Sequence, residues 1–161
     1  MASTLPGPQE TDRHGWNSFD NYRSVHENRL SRHTFLDPEK PHTVTFNFLR
    51  VGGDLVIQIV GEIFCLGGIV VEVEKYLETY EAPSGQIFVR GFSYRYNAYL
   101  PGKHNLLRFD NGHSFDEYHR HEWDWATGKE TERCIITRNE FPTLGEVLDE
   151  LERQYWQHVG R

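Results

Sequence analysis

Cysteine is scarce: this chain has two in 161 residues. Cys65 and Cys134 form no CxxC pair and stand among apolar neighbours, so they read as two buried thiols of a reducing compartment, not as a disulfide framework. Long apolar runs are missing too. The longest, Leu55–Val60 and Ile69–Val73, are far too short to span a bilayer. The opening MASTLPGPQETDRHGW has no apolar stretch, so the expectation is neither a signal peptide nor an anchor, and hence a cytoplasmic chain without a membrane partner. No HExxH occurs, no second ligand pair stands at fixed spacing, and no repeat of 20–50 residues is present. Positive charge is short as well: the net charge of −7 argues against indiscriminate binding to nucleic acid, while still permitting a local basic face.

What is present describes one soluble domain. Hydrophobic residues at 37%, with a mean hydropathy of −0.66, suit a globular chain long enough to bury a core without staples. Residues 1–42 carry four of the seven prolines and no sustained period, and read as an arm that is flexible or ordered by a partner. Within it, Asn17 to Leu30 allows one short helix anchored by Phe19, Tyr22, Val25 and Leu30.

From Thr43 the texture becomes strands. Val44, Phe46 and Phe48 alternate with Thr45, Asn47 and Leu49, then Gly52-Gly53-Asp54 turns the chain onto Leu55, Ile57 and Ile59. Gly61 breaks the run, and Ile69, Val71 and Val73 point inward on the next strand. Strands at Gln86–Tyr99, His104–Phe109, Tyr118–Trp125 and Thr131–Thr137 follow, separated by turn residues. One helix closes the chain: Thr143 and Glu146 form a capping box, and Leu144, Val147, Leu148, Leu151 and Tyr155 make an apolar stripe. The fold expected is α+β: a mostly antiparallel, twisted meander of hairpins packed on a C-terminal helix over residues 43–161, after the loosely structured arm.

The chemistry concentrates between Ser93 and Trp125. Arg108 and Asp110 share one side of a strand, and His119, His121 and Trp123 share one side of the next. If those strands are neighbours, Arg108, Asp110, His119 and His121 converge, and His113 joins them as a fifth catalytic candidate. Paired imidazoles exchange protons near neutral pH, and a carboxylate fixes the tautomer of one. Arginine clamps phosphate through two hydrogen bonds, and tyrosine stacks on a base. Tyr94, Tyr96, Arg95, Asn111 and Arg120 are therefore the candidate substrate contacts. The set is sufficient for metal-independent RNA cleavage, with no cofactor and no metal. Two other readings stay open. His119-x-His121 with Asp110 or His113 also suits a metal-dependent hydrolase. Arg108 and Asp110 could instead be a structural ion pair in a non-catalytic partner-binding protein.

The run YRYNAY…NLLRFDNGHSFDEYHRHEWD, followed by FPTLGEVLDELE, resembles the TumE-type toxins of prokaryotic toxin–antitoxin modules. The matching residues are Tyr94 and Tyr96, then Arg108-Phe109-Asp110-Asn111 with His113, then His119 and His121, then Pro142-Thr143-Leu144 with Val147 and Leu148. Where family members commonly carry a proline before the histidines, this chain has Asp116-Glu117-Tyr118. The resemblance implies a toxin neutralised by a cognate antitoxin, often a small helix-turn-helix protein. The reading as a ribonuclease comes from the residue chemistry. RNA and the antitoxin are thus the partners expected, and a homo-oligomer is allowed.

Overall fold

The computed structural model describes residues 13–112 and 117–160. Apart from a 3-10 turn at Leu66–Gly68, the described residues form β1 (Asn17–Ser18), α1 (Phe19–Arg32), β2 (Thr45–Val51), β3 (Asp54–Phe64), β4 (Val70–Glu81), β5 (Ile87–Tyr99), β6 (Asn105–Asp110), β7 (Tyr118–Trp123), β8 (Glu130–Ile136) and α2 (Leu144–Val159). Strands β2 to β8 lie side by side in chain order, each antiparallel to the next, and β1 pairs with β5. The fold is α+β, as the alternation and the capping box predict. Among the described residues no helix is long and apolar enough to cross a membrane.

Period-two alternation gives this sheet two unlike faces. One face carries Ile57, Ile59 and Ile63 of β3, Val71, Val73 and Leu77 of β4, Tyr96 and Ala98 of β5, and Leu107 and Phe109 of β6, all buried. Helix α2 covers this face. Thr143 and Glu146 satisfy each other's backbone N–H groups at its start, and Leu144, Val147, Leu148 and Leu151 are at most 2% exposed. Each such side chain contributes about 1.5–3 kcal/mol on leaving water. Phe141, just before the helix and fully buried, packs against the rings of Tyr94, Tyr96, Phe109 and Tyr118.

Three expectations need correction. Gly61 does not end a strand, since β3 runs through it. A Cβ there would come within 2.4 Å of the Val44 backbone, so the glycine permits two chains to approach closely. Cys134 is not buried: it lies half-exposed on the edge strand β8, whereas burial pushes the Cys65 thiol up to about 12. Residues 1–12 of the arm lie outside the described residues, but beyond them Ser18 caps α1, and Leu30 and Phe35 enter the same core as Ile63 and Leu148. On α1 it is His26, and not Val25, that turns inward.

Candidate active site

The other face of the sheet is polar, and strand register decides what meets there. Arg108 lies opposite His121, and Asp110 lies opposite His119, across the β6–β7 ladder. Directly opposed residues of an antiparallel pair share a face, so these four side chains converge as the alternation predicts. They border an open groove of about 400 Å³ with Asn105, Trp123, Glu130 and Arg133.

Asp110 is the pivot. Its carboxylate is 3% exposed and accepts from Arg108 Nε at 2.6 Å and from the Gly112 N–H at 3.3 Å. Burial alone drives this carboxyl up. The Arg108 guanidinium, the Gly112 N–H and His119 outweigh that effect and hold it below its ordinary value. With Nε committed to Asp110, the η nitrogens of Arg108, a residue that lines the groove, make no hydrogen bond among the described residues.

The two imidazoles differ in their partners. His119 places Nδ1 3.5 Å from Asp110 Oδ1 and Nε2 2.8 Å from Glu117 Oε1, so an imidazolium there has a carboxylate on each nitrogen. His121 places Nδ1 3.1 Å from Glu130 Oε1. Arg133 Nε lies 3.4 Å from the same nitrogen. One nitrogen cannot donate to Glu130 and accept from Arg133 at once. The shorter contact to Glu130 dominates, because Arg133 is largely exposed and also pairs with Glu130. That arrangement leaves His121 Nε2 for a substrate. The rings stand 6.2 Å apart between centroids, and Trp123 stacks on His121 at 5.9 Å.

The remaining sequence candidates separate. Arg95 shares the open face, one strand away, and is tied to Glu74 at 2.9 Å. Tyr94 and Tyr96 lie on the covered face, 4% and 1% exposed, and offer no stacking platform to the groove. Asn111 is fully buried. Its side chain accepts from the Tyr94 N–H at 2.8 Å and donates to the Phe92 carbonyl at 2.9 Å, serving backbone groups that β6 is too short to reach. His113 lies outside the described residues. Glu117, Glu130 and Arg133 were not among the sequence candidates: Glu117 stands only two residues before His119, a local signal that was there to read, whereas only the β7–β8 register links Glu130 and Arg133 to His121.

Arg120 is also on the covered face, where it pairs with Glu150 of α2 and with Glu122, above the Phe109 ring. Its guanidinium is held above its ordinary value, first by Glu150. Arg120→Ala is expected to lower unfolding free energy by about 2 kcal/mol, because Glu150 loses charged hydrogen bonds in a largely buried place. A urea titration measures this, together with the Glu150→Ala and double variants. Losses that simply add would show that the two side chains do not interact.

Among the described residues no group of three or more histidine, cysteine, aspartate or glutamate side chains is arranged to hold a metal ion. No protein-family model matches the chain, and neither the curated proteins nor the solved structures gave a match.

Proposed function

We propose that the groove across β6, β7 and β8 cleaves RNA by acid–base chemistry between its two histidines. The observation that carries this reading is the pairing of Arg108 with His121 and of Asp110 with His119 on one solvent-facing side of the sheet. In this mechanism His121 Nε2 takes the proton of a ribose 2′-hydroxyl, whose oxygen attacks the adjacent phosphorus. The η nitrogens of Arg108 hold the phosphoryl oxygens as negative charge builds on them. His119, whose Nδ1 faces Asp110, gives its Nε2 proton to the leaving 5′-oxygen, which takes the place of the exposed Glu117 carboxylate at that nitrogen. The products are a 2′,3′-cyclic phosphate and a 5′-hydroxyl, so protons and bonds balance without water. With Tyr94 and Tyr96 buried, Trp123 on the groove wall is the aromatic surface available to a base. On this reading the chain is a toxin of the TumE type that its strand motif resembles, acting in the cytoplasm and restrained by an antitoxin.

The test uses purified chain, a short RNA and the DNA of the same sequence, in the presence of a chelator. RNA is expected to yield the cyclic phosphate, and DNA, which lacks the 2′-hydroxyl, is expected to stay intact. His119→Ala/His121→Ala should reduce cleavage by about 10²–10⁴-fold, the usual contribution of positioned acid–base groups. Equal cleavage by wild type and double variant, or equal cleavage of DNA, removes the proposal.

A further inference from the structure

The covered face hides a second polar place. A cavity of about 210 Å³ lies between α1, the residues before β1, the start of α2, and strands β4 and β5. Lys75 lines it, 5% exposed, on the core side of β4 between Val73 and Leu77, opposite Ile59 and Tyr94. Its ammonium stands 5.2 Å from the centre of the Tyr22 ring and 5.5 Å from that of Tyr96. Among the described residues it has no hydrogen bond and no carboxylate partner; its only charged neighbour of consequence is Arg29, of the same sign. Packing needs no charge at this position, and a methionine would fill the same stem volume without the cost of desolvating an ammonium.

The lining agrees in sign. Arg29 and Arg13, the latter paired with Glu146, border the cavity beside His26, which burial keeps neutral, and among the described residues no aspartate or glutamate lines it. His26, 5% exposed, holds two ring nitrogens without a hydrogen-bond partner among the described residues. Thr143 and Leu144 present the start of the 16-residue helix α2, the positive end of its dipole. Tyr22, Val25, Tyr94, Tyr96 and Leu144 supply the apolar and aromatic part of the wall, and His14 and Asn17 add polar groups to it.

We propose that this cavity binds a small organic anion, its carboxylate seated on Lys75 and its apolar body against the rings of Tyr22 and Tyr96. Such a ligand would supply the counter-charge that the described residues leave out. Burial brings the Lys75 amine down to about 7, so the group is protonated readily when an anion arrives near neutral pH. The site is on the face of the sheet opposite the histidine groove and does not depend on the RNase reading.

Calorimetric titration of the full chain with benzoate, and with its neutral counterpart benzamide, tests the proposal. Benzoate is expected to bind saturably and to raise the melting temperature, and benzamide to do neither. Lys75→Met should weaken benzoate binding at least tenfold while the ligand-free melting temperature stays level or rises. Lys75→Gln serves as the second variant should the methionine chain fold poorly. Absence of benzoate binding, undiminished binding by the folded variants, or equal binding of benzamide overturns the proposal.

Discussion

Replacing Arg108 by lysine is expected to lower RNA cleavage by about 10²–10³-fold, the range seen when one preorganised donor to a developing oxyanion is removed. On the proposed mechanism the arginine does two things at once: Nε donates to Asp110 at 2.6 Å, which leaves the η nitrogens of this groove-lining residue for the phosphate. Lysine keeps the charge but has one nitrogen, which can serve Asp110 or a phosphate and not both. Stability should change little. The Arg108 side chain is 36% exposed, and ion pairs that open to water contribute about 0–1 kcal/mol. The sign of the pH effect follows from Asp110. Its carboxyl is depressed below 3.8 in the fold, so its contribution is complete above that value and is lost only as pH falls through the lower one. Initial rates and urea midpoints of the two chains at neutral pH separate the roles. A variant that cleaves normally but unfolds early would mark Arg108 as a structural partner of Asp110.

Phe141→Ala is expected to have the largest effect on stability, about 3–5 kcal/mol. The ring is fully buried, with Tyr94 and Tyr118 at 5.1 Å and Tyr96 and Phe109 at 6.0 Å between centroids. Those four residues lie on three adjacent strands, β5, β6 and β7, so the cavity left by alanine would open under all three. Phe109 stands between Arg108 and Asp110, and Tyr118 directly precedes His119. Loosening the hub should therefore blunt cleavage through the reverse face of the same strands, with no loss of any group in the groove. Phe141→Leu, which keeps most of the volume, should recover much of both. A urea midpoint for Phe141→Ala within about 1 kcal/mol of wild type would show that the strands are held by other contacts.

Local pattern carried a large part of this protein. The alternation of Arg108 with Asp110 and of His119 with His121 is a property of adjacent residues, and it places each pair on one side of its strand wherever that strand lies. The capping box of Thr143 and Glu146 and the leucine stripe after it are likewise local, and α2 begins and buries its face accordingly. The same alternation, applied to β5, already separates Tyr94 and Tyr96 from Arg95. Treating all three as one binding surface ignored the pleat, and the two tyrosines lie with Phe141 on the other face. Tertiary structure decided what distance along the chain conceals. Register brought Glu130 and Arg133 to His121, α2 took Arg120 through Glu150, and Asn111 was consumed by the backbone of β5. Lys75 reads in the sequence as one more charge after Glu74. Only the β4–β5 pairing and the docking of α1 above it give it two tyrosine rings for neighbours and, among the described residues, no counter-ion. The physical reason is the same throughout: which face a side chain takes is set by its neighbours in sequence, but its partners and its exposure to water are set by whichever element packs above it.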